Sequence, residues 1–214
     1  MLADYALHEP SVRVRTVFGA SDELADHLLA GAQADLFLTA DPGQFDRLRA
    51  HRLLTPEVPT ILAGNTLAAV ALADRPQAVR RPSDLGRPDL RRIALAAPRC
   101  PLGRYTRAYL DGLGLYDALS RRALEVDNAR AVLAAVRAGR ADVGLAYGSD
   151  AAYAVGCRLL FRVRRLPQPI RYAGAVLALG RNRERARALL SFLSSPAATH
   201  RFRCCGFLST PAGN

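Results

Sequence analysis

The chain has 214 residues, half of them hydrophobic, and a formal charge of +11. That is enough chain for one large core or two small ones, and no apolar run is long enough to span a bilayer, because Arg, Asp, Gly or Pro interrupts each one within a few residues. All of the positive charge comes from arginine, with no lysine anywhere, and the arginines are scattered; this reads as base composition and a diffuse field that attracts small anions, not as a nucleic-acid surface.

Residues 1–8 read as the end of a helix with Leu2, Tyr5, Ala6 and Leu7 on its apolar side, stopped by Pro10. Val12, Val14 and the run from Thr16 to Phe18 alternate with Arg13 and Arg15, which predicts a strand. Ser21 stands where it can cap a helix carrying Leu24, Leu28 and Leu29, with Gly31 as its stop. A short buried strand over 34–38 and a helix over 42–51 follow. The alternation of strand and helix predicts mostly parallel sheets covered by helices. Two runs, 66–73 (TLAAVALA) and 172–179 (YAGAVLAL), are long enough to cross from one lobe to a second. Between them lies a polar, Pro-rich connection over 74–90, in which Ser83-Asp84-Leu85 resembles a capped turn.

The stretch from Arg92 to Leu110 organises the rest. Ile93 to Ala97 read as a buried parallel strand. Pro101 suits the first turn of a helix, which leaves the N–H groups of Leu102 and Gly103 pointing outward; such an end favours a bound oxyanion. Residues 117–122 predict a short helix and 123–126 a strand. Asn128 then caps a helix with Val132, Leu133 and Val136 facing inward and Gly139 as its stop. Residues 142–147, DVGLAY, form a buried strand that delivers Tyr147 to the edge where open α/β sheets bind ligands. A helical turn over 151–155 precedes a strand over 159–163, whose neighbours Arg158, Arg162, Arg164 and Arg165 read as a solvated face. Helices over 183–193 and 196–204 end the fold.

Catalysis finds little support. His8, His27, His51 and His200 read as surface residues with no nucleophile paired to them, and Cys100, Cys157, Cys204 and Cys205 have neither zinc-ligand nor redox spacing; the adjacent pair reads as buried or incidental. Asp142 is expected at a strand edge, Asp150 and Ser149 as helix caps. Asn65 is expected to bond nearby backbone at a hinge, in preference to touching a ligand. The first twelve residues lack a basic leader and apolar core, so the expectation is that the chain is cytosolic or that its true start is missing.

Taken in order, FGASDEL with GAQADLFLTAD, LAGNTL, AAPRCPLGRY, VDNARAVLAAVRAGRADVGLAYGSDA, IRYAGAV and the closing GF resemble the molybdate-binding receptors of bacterial ABC transporters, which are type II periplasmic binding proteins. The resemblance implies an α/β fold of two lobes, each a mostly parallel sheet flanked by helices and lacking the family's first strand. One lobe would comprise residues 1–68 and 175–214, the other 69–174. It further implies that a tetrahedral oxyanion, molybdate or tungstate, is held between them: by the hydroxyl and N–H of Ser21, the N–H groups of Leu102 and Ala129, and the phenol of Tyr147. It implies no cofactor, no free metal cation, no nucleic acid and no membrane insertion, a periplasmic monomer, and an ABC transporter permease as partner. The sequence departs from the family where Asp22 and Glu23 follow Ser21 and where Leu102 replaces a small residue. Two other readings are a cytosolic oxyanion sensor and a phosphate binder in which Asp22 or Asp127 accepts the ligand's proton.

Overall fold

The computed structural model describes residues 1–75 and 78–209; residues 76 and 77 of the Pro-rich connection and 210–214 of the first expected lobe lie outside the described residues. In chain order the elements are α1 (Leu2–His8), α2 (Ser21–Leu29), β1 (Leu36–Thr39), α3 (Gly43–Ala50), β2 (Thr60–Asn65) and β3 (Leu67–Leu72). After a 3-10 turn at Pro82–Gly86 come β4 (Ile93–Ala96), α4 (Pro101–Asp111), α5 (Tyr116–Ser120), β5 (Ala123–Val126), α6 (Ala129–Arg137), β6 (Val143–Tyr147) and α7 (Gly148–Ala152). The chain closes with β7 (Cys157–Arg162), β8 (Ile170–Val176), α8 (Arg183–Leu193) and α9 (Pro196–Cys204). None of the described helices is long and apolar enough to cross a membrane.

Two compact units result. The first holds Met1–Gly64, Arg171–Cys204 and the segment from Leu208; the second holds Asn65–Ile170 and Cys205–Phe207. The first unit is built on a three-stranded sheet in the order β1-β8-β2, with β1 antiparallel to β8 and Leu36 opposite Val176. The two-residue period of β8 feeds two cores. Ala173 and Ala175 pack with Ala25, Leu28, Phe37, Phe45 and Leu48, whereas Val176 packs with Leu62, Leu189, Leu190 and Leu193. Gly174 allows this layer to close, since a Cβ there would stand 2.6 Å from Leu38 and 2.7 Å from Leu190.

The strand expected over 12–18 does not form. Val12 and Val14 pack against the cluster around Tyr5, while Val17 and Phe18 are 77% and 90% exposed, and no described strand pairs with the segment. Alternation supplies an apolar side, but a strand also needs a neighbour for its N–H and C=O groups. Ser21 is the first residue of α2 and not its cap. Ala20 occupies the cap position in extended backbone, and the Glu23 carboxylate accepts its N–H at 3.4 Å.

The second unit is a five-stranded sheet in the order β5-β4-β6-β3-β7. β4 runs parallel to both β5 and β6, whereas β3 is antiparallel to β6 and β7. This sheet is therefore mixed and not mostly parallel. Helical crossovers join β4 to β5 and β5 to β6 and so keep them parallel, but β3 follows β2 with only Thr66 between them. The middle of this sheet is fully buried along Leu67 to Ala71, Ile93 to Ala97 and Val143 to Ala146. α6 lies close over β6 because residue 144 is glycine: a Cβ there would come within 2.7 Å of Val132 and 2.8 Å of Val136.

Candidate functional site

Three adjacent parallel strands end at the same edge of the second unit's sheet. Ala96 is level with Val126, the Ala97 N–H donates to Val126 O at 2.8 Å, and Ile93 of β4 is level with Val143 of β6. Neighbouring strands lie about 4.8 Å apart, so α4, α6 and Tyr147, the last residue of β6, all leave from that edge. Three of the four residues expected to bind ligand, Leu102, Ala129 and Tyr147, are thereby gathered in one unit. Ser21 belongs to the other, half-buried in the first turn of α2.

Pro101 opens α4 as the sequence suggests, with Cys100 in extended backbone before it. The Arg104 N–H donates to Cys100 O at 3.1 Å, but the N–H groups of Leu102 and Gly103 reach no acceptor among the described residues. Gly103 permits the close turn: a Cβ would lie 2.0 Å from Ala97 O and 2.5 Å from Ala96 O, inside the backbone itself. At α6 the Asn128 side chain accepts from the Ala131 N–H and its carbonyl from the Val132 N–H, both at 3.1 Å. That leaves the N–H groups of Ala129 and Arg130 without an acceptor among the described residues. Neither first turn contains a carboxylate, so both helix ends keep their partial positive charge. The loops leading to them are joined by an ion pair of Arg99 with Asp127.

The start of α7 is different. The Gly148 N–H donates to Thr66 O at 2.7 Å and the Ser149 N–H to Asn65 Oδ1 at 3.2 Å. Asn65 also accepts from the Thr66 N–H and donates to Ser149 Oγ, both at 2.9 Å. It thus bonds nearby backbone, as expected. Ser149 is not a cap; it is buried in the first turn, and its hydroxyl is an acceptor in this lock. Asp150 follows, and burial raises its pKa above the ordinary value while Arg130 opposes the rise. Asp142 accepts the Arg92 N–H at 2.9 Å at the strand's start, and Cys204 and Cys205 are exposed and not buried. Of the expected arginine face, Arg162, Arg164 and Arg165 are exposed, but Arg158 is half-buried.

The Asn65–Ser149 lock and the Arg99–Asp127 pair each join residues far apart in sequence, so no local pattern announces them. The tight approach at Gly103 is announced only by the Pro-Leu-Gly break in the apolar pattern. No cluster of three His, Cys, Asp or Glu suited to a metal occurs among the described residues.

Known proteins bear on this arrangement. The family described as bacterial extracellular solute-binding protein matches residues 1–208. The molybdate-binding protein ModA of Escherichia coli is 31% identical over 208 residues, covering 93% of this chain and 79% of the relative. The molybdate-binding protein ModA of Mycobacterium tuberculosis is 39% identical over 142 residues; the match covers 66% of this chain and spans about half, 52%, of that relative. Among solved structures, the substrate-binding domain of a putative molybdenum ABC transporter from Clostridium difficile superposes with a TM-score of 0.84 at 27% identity, over 98% of this chain and 91% of the other. The α/β fold is that of the type II periplasmic binding proteins, and the chain belongs to the family of bacterial extracellular solute-binding proteins.

Proposed function

We propose that the chain is the substrate-binding component of an ABC transporter, and that it captures a tetrahedral oxyanion, molybdate or tungstate, in the periplasm and delivers it to a permease. The N–H groups of Leu102 and Ala129 and the phenol of Tyr147 donate to the ligand's oxygens, joined by the hydroxyl and N–H of Ser21. The observation that carries the reading is the pair of helix starts with unengaged N–H groups, which emerge with Tyr147 from three neighbouring parallel strands. Such groups bind a dianion without a countercharge in contact with it. Donors held by a sheet cannot follow a smaller ion inward, so size becomes the criterion of choice. The names of the relatives point to the same ligand. The phosphate reading, in which Asp22 or Asp127 accepts the ligand's proton, has less support at Asp127, whose carboxylate is paired with Arg99.

Isothermal titration calorimetry with sodium molybdate, tungstate, sulfate and phosphate tests the proposal. Molybdate and tungstate are expected to bind at least about a hundredfold more tightly than sulfate or phosphate, and Tyr147→Phe to weaken molybdate about tenfold through the loss of one hydrogen bond to a charged group. Absence of heat with both molybdate and tungstate overturns it; preference for phosphate replaces it with the phosphate reading.

A further inference from the structure

We infer that Asn65 is a positioning residue for Tyr147, acting through the start of α7; this rests on the oxyanion reading for its functional meaning. Asn65 is the residue at which the chain passes from β2 into the second unit, and it is only 3% exposed. Its amide oxygen accepts from the N–H groups of Thr66 and Ser149, and its amide nitrogen donates to Ser149 Oγ. Thr66 is held in turn, with its hydroxyl donating to Val163 O at 2.6 Å and its carbonyl accepting the Gly148 N–H at 2.7 Å. Leu67, the next residue, is the ladder partner of Tyr147 itself. Tyr147 is therefore fixed on one side by its strand neighbour and on the other by two successive backbone N–H groups whose acceptors are Thr66 and Asn65.

The space around this lock is closed. A Cβ on Gly148 would lie 2.5 Å from Arg162 Nη1 and 2.9 Å from Thr66 Cγ2, and one on Gly206 would lie 2.9 Å from Ala152 Cβ and 3.1 Å from Ser149 Cα. Thr66 and Ser149 are each 6% exposed. Without the Asn65 amide, the buried Ser149 N–H has no acceptor and too little room to recruit one by shifting. The backbone that aims the phenol then relaxes. A carboxylate at the same place can keep both N–H acceptances, with the Ser149 hydroxyl rotated to donate.

The experiment compares Asn65→Ala, Asn65→Asp, Tyr147→Phe and the double variant N65A/Y147F by calorimetry with sodium molybdate, and follows 13C-labelled tyrosine rings by NMR without ligand. The chain has seven tyrosines, and Y147F identifies the Tyr147 signal. N65A is expected to move that signal while leaving the other rings in place, and to weaken molybdate about tenfold. N65D should restore the ring position, while its added negative charge keeps molybdate binding weaker than in the native chain, and the double variant should bind no more weakly than Y147F alone. An unmoved Tyr147 ring in N65A, or losses from N65A and Y147F that simply multiply, overturns the positioning role. If neither the native chain nor any variant binds molybdate, the oxyanion reading fails, and the ring signal still decides whether Asn65 sets Tyr147.

Discussion

Two kinds of helix start occur at one edge of the five-stranded sheet. α4 and α6 begin with N–H groups that no described residue accepts, whereas α7 begins with N–H groups bonded to Thr66 and Asn65. In the two open ends backbone or cap support begins only at the fourth residue of α4, from Cys100 O, and at the third of α6, from Asn128, so their outermost donors stay available. The third end uses the same donors to fix a side chain, Tyr147. Equivalent backbone groups thus stay available or become anchors according to whether a buried acceptor has been supplied, and the difference lies in Thr66 and Asn65, not in the helices.

The largest effect should come from closing the tightest turn of an open end. Gly103→Ala places a methyl inside the carbonyls of Ala96 and Ala97, where only backbone could yield, and should cost about 3 kcal/mol or more in urea unfolding; a loss below about 1 kcal/mol would mean that α4 can shift without penalty. Asn128→Ala removes the cap that holds the second open end. It should cost about 1 kcal/mol and lower Tm by about 2–4 °C, with weaker molybdate binding than in the native chain if α6 is a ligand-bearing end. The smallest effect concerns the anchored end. Burial raises the Asp150 pKa, so this group's contribution to stability is present in full below the unfolded-state pKa and is lost as pH rises through the folded-state value. Asp150→Asn should therefore raise Tm slightly at pH 7, by about 1–2 °C, and the gain should vanish near pH 3; a gain that persists there would point to a cause other than charge.

Much of the second unit was legible from short-range signals. The proline that opens α4, the asparagine that caps α6 and the glycine that ends it, with φ +67 at Gly139, all act within a turn of where they stand. The strand expected over 12–18 failed because pairing depends on a partner elsewhere in the chain. Ser21 misled for a related reason. Ser is a good cap, but Glu23 reaches back to the Ala20 N–H and draws the helix start one residue earlier. Ser149 looked like a cap because of its type, and its burial beside Asn65 depends on a contact 84 residues away in sequence. Among the residues expected at the ligand, Tyr147 can be placed at the sheet edge from the hydrophobic run of its strand and Leu102 at a helix start from Pro101, whereas Ala129 and Ser21 are expected there only through the family resemblance.

The chain contains no tryptophan, so its ultraviolet emission comes from tyrosine alone. Tyr147, half-buried at the end of β6, is one of the seven tyrosines that contribute to it, and comparison with Tyr147→Phe isolates its share. If the oxyanion reading holds, the part of that emission lost in Tyr147→Phe would change as molybdate is added, and occupancy could be followed in real time without a dye.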